Sequence, residues 1–425
     1  MERHPPVRRI AAARLISILW LASCAAAAES PAEWIEKIRK HVAENLLQLP
    51  NYTCGLTIGR SFREASKKKF SVLDTIRLDV AFIGGRELYA WPGSPKFEER
   101  PITKMVGGKG AIGSGTFALH ARHLFTRGGI TFFYRGVAEW RGRQAVHFDF
   151  DVPQKSSAFV IQDGTHSAAT PYRGSFWADA STLDLLRLEI SADRIPAPVK
   201  VTAVREAVDY GKLSAAEMEF AIPAAAETTL LSPAGEAHNV TRFERCRQYS
   251  AGSVISFEEP PPETAVPQGP REIEIPVGLP VEMTLETAID ARTPLGDPVA
   301  ARLGKPLRDK QGAELLPKGA TLRGWISRLE RRQAARFEYL VVGLAFETVE
   351  ADGLRARFTA RLEDAGMPVG GEYHVPFSNR LQPGPSVWTG IRHGTEPPQP
   401  NEGVFFVRTR GLRIGNGLRL VWRTE

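Results

Sequence analysis

The sequence predicts a mainly β (α+β) protein, built from antiparallel sheet with few helices. Three observations predict it. From Tyr52 to about Tyr249, apolar residues alternate with polar ones at period two. Within the first half of the chain, only two stretches follow helical spacing. A proline-rich segment then separates this region from a second one that is again strand-like.

The chain opens with a leader. Arg3, Arg8, Arg9 and Arg14 form a basic start, followed by LISILWLASCAAAA, an apolar run too short to span a bilayer. Residues 1–28 therefore read as a secretory signal peptide. Its end has two readings. Ala26, Ala27 and Ala28 before Glu29 suit ordinary cleavage, whereas Leu21-Ala22-Ser23-Cys24 looks like a lipobox that would leave Cys24 lipidated and the protein tethered to a membrane. The formal net charge is +7, of which the leader's four arginines and Glu2 account for +3, leaving +4. That is mild for the length, and no basic stripe with interleaved aromatics appears, so nucleic acid is not an expected partner.

After the leader, Trp34, Ile35, Ile38, Val42, Leu46 and Leu47 recur at helical spacing until Pro50 stops the run. Strands follow. In DTIRLDVAF, Ile76, Leu78, Val80 and Phe82 share one face; in AVHFDFDV, Val146, Phe148, Phe150 and Val152 do; in LDLLRLEI, Leu186, Leu188 and Ile190 do. Strict alternation means one face buried and one wet, which is an antiparallel pattern. FALHARHLF, from Phe117, is a second helix. Residues 258–274 are rich in proline and read as a semi-rigid linker. Beyond them VEMTLETAI, LRGWISRLE, YLVVGLAF, GVFFVRTR and LRLVWRT predict a second β-domain over 275–425, with 380–402 as a long exposed loop.

Candidate chemistry is sparse. GGKGAIGSG contains G-x-G-x-x-G at Gly108, Gly110 and Gly113, but a charged, proline-bearing stretch precedes it instead of a buried strand. A dinucleotide fingerprint also needs an acid about 20 residues on; there the chain has the apolar run ITFFY. The glycines read as a flexible lead-in to the helix. His120 and His123 stand three apart without a third ligand, Asp149 and Asp151 share a sheet face, and His374 and His393 lack readable partners. Arg408, Arg410, Arg413, Arg419 and Arg423 alternate with Val407, Leu412, Leu420 and Val421 and read as a wet strand face. The reading is a non-enzyme, with no cofactor or metal site. Cys54 and Cys246 remain as an even pair in an exported chain, so a disulfide is expected between them.

GSFWADASTLDLLRLEI, residues 174–190, looks like a recurrent strand, Asp-containing turn and strand, with Trp177 and Asp179 in the characteristic places. NYTCGLTIGR stands as a first strand after the helix. With the leader and the crossing helix, these stretches resemble the outer-membrane lipoprotein-sorting (LolA-like) superfamily over about residues 32–257. The resemblance implies an N-terminal antiparallel half-barrel packed on helices, with an apolar cavity for a lipid or lipoprotein acyl chain. Phe82, Trp91, Phe132, Phe148, Phe150, Trp177 and Leu188 are the expected lining. The disulfide would then join first and last strands. That group's soluble shuttles lack a C-terminal extension, which leaves open a structural or scaffolding role through protein–protein contacts. VGLPVEMTLETAID, PLGDPVAARLGKPL and ELLPKGATLRGWI resemble the β-domain of TrbI-type conjugation and secretion proteins over about residues 275–360. The residues carrying it are Gly278, Gly296, Asp297, Pro317, Lys318 and Gly319; it implies envelope-protein partners. The expected location is periplasmic or outer-membrane-anchored.

A bridge closing nearly the whole first domain contributes roughly 4–5 kcal/mol by chain-entropy reasoning. Replacing Cys54 and Cys246 together by serine should lower the denaturant midpoint accordingly; an unchanged midpoint would contradict the pairing's structural role.

Overall fold

The computed structural model describes residues 29–94, 97, 102–106, 111–112, 119–163, 166–215, 218–249, 270–333, 338–366, 373–375, 401–408, 413–414 and 416–425. The leader with Cys24, the linker up to residue 269, the glycine loop apart from Ala111 and Ile112, most of 380–402, His393 and Arg410 lie outside them.

Helix α1 (Pro31–Gln48) starts where its sequence dictates. Ser30 caps it by accepting from the Glu33 amide, and the Glu33 carboxylate accepts in return from the Ser30 amide, with Pro31 in the first turn. The helix ends before Pro50, which has no amide to donate. Its apolar stripe buries Ile38 and Val42.

The first sheet has ten antiparallel strands. In chain order they are β1 (Tyr52–Glu64), β2 (Ser71–Ile83), β3 (Arg86–Ala90), β4 (Thr131–Trp140) and β5 (Arg143–Val152); then, past the small hairpin of β6 (Val160–Asp163) and β7 (His166–Ala169), β8 (Tyr172–Asp179), β9 (Leu185–Ala192), β10 (Ala203–Ala215), β11 (Met218–Ser232) and β12 (Gly235–Gln248). The spatial order is β3-β2-β1-β12-β11-β10-β9-β8-β5-β4. The last strand returns beside the first, and Cys54 is bonded to Cys246 across that seam. The protein is mainly β, and this sheet curls as a half-barrel. Two short helices, α2 (Ile102–Met105) and α3 (Leu119–Thr126), interrupt the strands. With α1 they cover one face of the sheet, called here the inner face.

The second sheet has a central run of Glu338–Ala351, Thr321–Gln333, Pro298–Leu303, Pro280–Leu285 and Arg419–Thr424. Its centre buries Trp422, Phe346, Phe358 and Phe405. Arg271–Ile273, expected at the end of the linker, is instead a parallel edge strand against Leu354–Arg357. Ile273 and Ile275 give it an apolar footing on the core. At the C-terminus, Trp422 is buried while Val421 shares the outward face with Arg419 and Arg423. Both arginines are held in ion pairs, with Glu282 at 2.9 Å and Glu363 at 2.5 Å.

One apolar core runs from β1–β3 and β10–β12 into the second sheet. The junction is a turn, Pro294 to Asp297, seated on β2. The Leu295 carbonyl accepts from the Arg77 amide at 2.6 Å, and the Leu295 amide donates to the Thr75 carbonyl at 2.7 Å. Asp297 pairs with Arg77 at 2.7 Å, and Trp91 stacks on Trp325 with ring centres 5.8 Å apart. Gly296 and Asp297, picked out in the sequence as a turn, are thus the contact between the sheets. Gly296 has φ +87, and a Cβ there would lie 1.9 Å from the Arg77 carbonyl oxygen.

Gly296→Ala should therefore loosen the junction and cost well beyond the ~1–2 kcal/mol of a left-handed non-glycine residue. Gly278→Ala is the control, since its φ is +89 with nothing within 4 Å. Equal losses for the two variants in denaturant melts would contradict the docking role.

Candidate functional site

Strand register brings separate sequence positions into two adjacent rows on the inner face. One row runs Tyr134, Phe148, Phe176, Leu188, Val208, Ala226, Thr241, Ile58, Ile76, crossing from β4 to β2. It is apolar apart from the Tyr134 and Thr241 hydroxyls. Its neighbour runs Phe132, Phe150, Gly174, Ile190, Glu206, Thr228, Asn239, Arg60, Asp74 along the same registers. This second row changes character in the middle: it is apolar from β4 to β9 and polar from β10 to β2.

The apolar half lies under α1 and α3. Phe176 (0 % exposed) and Phe148 (2 %) stack at 5.5 Å, and Phe125 of α3 meets Phe176 edge-on at 5.1 Å. Phe132 closes the cluster at the edge strand β4, against Phe176 at 6.1 Å and beneath the Arg39 guanidinium of α1. In this state the helices' side chains fill the face.

The polar half is buried too. Glu206 is 6 % exposed and Arg60 3 %. A buried charge persists only when paired, and each has its partner. Arg60 forks onto Asp74 with two hydrogen bonds of 2.7 and 2.6 Å. Nε2 of His120, on α3, lies 2.7 Å from Oε2 of Glu206. Burial alone would push the His120 imidazole down. The Glu206 charge beside it, with Glu87 behind, outweighs that and holds the His120 pKa above its ordinary value. Asn239 donates to the Ala111 carbonyl at 2.9 Å, and among the described residues its own side-chain oxygen is buried without a hydrogen-bond partner. The segment after α2 therefore touches this polar half.

Of the seven expected lining residues, Phe132, Phe148, Phe150 and Leu188 meet under α1 and α3. Phe82 is on the same face but at its far end, against Tyr52 at 6.0 Å. Two are elsewhere. Trp91 is at the junction with the second sheet. Trp177 points to the opposite face, where its ring stacks on His147 at 4.4 Å, because Phe176 next to it takes the inward position. The neighbours FW do not reveal which faces in; only pairing with Phe148 does. His120 and His123 turn to different partners, Glu206 and the Tyr172 hydroxyl at 2.9 Å. Asp149 is taken up by Arg135 and Ser175 on the outer face. Among the described residues no three His, Cys, Asp or Glu come together as metal ligands. Sequence reading missed Glu206, although Val204, Glu206 and Val208 alternate and place a carboxylate on the apolar face.

No protein-family model matches the chain, and no curated protein matches it. Solved structures are similar over part of it, two of them as follows. A putative outer membrane lipoprotein-sorting protein domain from Vibrio parahaemolyticus is 11% identical, with 52% of this chain and 95% of that chain covered and a TM-score of 0.28. A DUF1329 family protein from Desulfovibrio piger is 12% identical, with 53% and 97% covered and a TM-score of 0.28.

The His120–Glu206 pair gives a pH signature. A histidine whose folded pKa is raised above the unfolded 6.5 contributes stability below that pH, lost as pH rises through the folded pKa. Glu206→Gln should therefore cost most stability near pH 5.5 and progressively less toward pH 8.5, read from denaturant midpoints. A cost independent of pH would contradict the pairing.

Proposed function

We propose that this chain is a non-enzymatic cell-envelope protein that holds a lipid or lipoprotein acyl chain between the inner face of its first sheet and helices α1 and α3. The observation that carries the reading is the change of character along one row, from Phe132, Phe150 and Ile190 to Glu206, Asn239 and Arg60. An amphiphile has the same polarity gradient. Its chain would replace the side chains of α3 over Phe148 and Phe176, and its polar end would reach the spare Asn239 oxygen. Each buried methylene contributes about 0.8 kcal/mol, so one acyl chain supplies ample driving force. The apolar stripe of α1 can follow such a ligand, because the helix is anchored to the sheet through side chains and not through backbone pairing.

An exported envelope location follows from the leader and from this ligand class, with Cys24 as an anchor if lipidated. The second sheet would serve contacts with other envelope proteins, as its TrbI-type resemblance implies. No helix of the described residues is long and apolar enough to cross a membrane. A scaffolding role is the second reading, favoured by the single core that joins both sheets.

Native mass spectrometry of detergent-free exported protein, with organic extraction of the same sample, should find close to one lipid per chain. Phe132→Asp, at the half-buried edge under Arg39, should retain the fold and lower that occupancy several-fold. A bare protein mass that stays bare after incubation with phospholipid would leave the scaffold as the better account.

A further inference from the structure

The helix-free face of the first sheet carries a groove of about 650 Å³, lined by β4, β5 and β8–β11. Its floor is backbone and small side chains. Register arranges its charges in two rows. In one, Ser191 stands between Arg173 and Arg205 on the neighbouring strands. In the other, Ala207 stands between Glu189 and Glu227. All six residues line the groove. Flanking strands put the two arginines about 10 Å apart at the backbone, and the rows lie about 7 Å apart along the strands. Side chains of this length can converge from both sides over the small residue between them.

We propose that this groove binds a phosphate ester bearing a primary ammonium. Arg173 and Arg205 would hold the phosphate, with the Ser191 hydroxyl beneath it as a third donor, and Glu189 and Glu227 would hold the ammonium. Arginine suits the first task because its planar fork matches phosphate oxygens. The charges are not all consumed internally. Arg205 is exposed and makes no hydrogen bond or ion pair among the described residues. Arg173 has one exposed partner, Asp193. Glu189 and Glu227 each offer a second oxygen beyond those used by Arg187 and His238. The remaining charges of the groove are committed: Arg135 to Asp149, Asp151 to Arg194, and Glu206 to His120 on the inner face. The site is separate from the inner face and does not depend on an acyl chain being bound there. Its ligand chemistry occurs both in a lipid headgroup and in a free phosphoamine.

The test uses the full exported chain with two probes, soluble O-phosphoethanolamine and vesicles of phosphatidylethanolamine. Arg205→Gln removes the uncommitted guanidinium and should weaken binding about tenfold, the loss of one charge-assisted contact. Arg292→Gln, in the turn after Ile289–Asp290 with a side chain 92% exposed, removes the same charge outside the groove lining and should change nothing. Glu227→Gln should erase any preference for phosphoethanolamine over phosphocholine, whose ammonium has no hydrogen to donate. Binding to vesicles alone supports a headgroup presented at a membrane, and binding to the soluble probe supports a free phosphoamine. Binding to neither probe, equal affinities for Arg205→Gln and Arg292→Gln, or a preference for phosphatidylglycerol vesicles would overturn the assignment.

Discussion

Everything in the first sheet depends on antiparallel register. Because side chains alternate at period two, a slip of one residue in any strand would exchange its inner and outer faces. The pairing of β12 with β1 fixes the last of these registers, and the Cys54–Cys246 bond sits on it. With register set, residues distant in the chain fall into line: Arg60 beside Asn239, and Phe148 beside Phe176 beside Leu188. The two faces then acquire opposite chemistry from the same strands. Phe150 faces the helices while Asp149 and Asp151 face the groove, and Ile190 and Glu189 divide in the same way.

Buried charge is the other constraint. Glu206 and the Arg60–Asp74 fork stand on a face that is otherwise apolar, at a cost that only paired geometry offsets. His120 ties α3 to the sheet through Glu206, so the helix that covers the apolar half is held by a polar contact from the other half. The eight residues Leu119–Thr126 are too few to be a stable helix alone, and tertiary contacts of this kind supply the rest.

The sequence was most legible where one local rule suffices. The helix Pro31–Gln48 is written in its apolar stripe and in the proline that stops it, while its Ser30 cap showed only in the structure. The strands DTIRLDVAF, AVHFDFDV and LDLLRLEI declare their buried faces by alternation, and Phe82, Phe148, Phe150 and Leu188 are all buried as that alternation requires. The disulfide followed from cysteine count. What alternation cannot give is which strands are neighbours. Trp177 and Trp91 were placed by residue type, and both were claimed by contacts that only topology reveals, with His147 in one case and Trp325 in the other. The polar row was invisible for the same reason, since Arg60, Glu206 and Asn239 are unremarkable one strand at a time. The seating of Gly296 on β2 likewise needed the second sheet in place.

The central claim is that the inner face under α1 and α3 is where a ligand's acyl chain lies. Photo-crosslinking with a lipid carrying a diazirine at the end of its acyl chain tests it most directly. Peptides containing Phe125, Phe148 and Phe176 should carry the label, and Phe132→Asp should reduce it. Labelling confined to the outer face or to the second sheet, with α3 and β5 unmarked, would contradict the account.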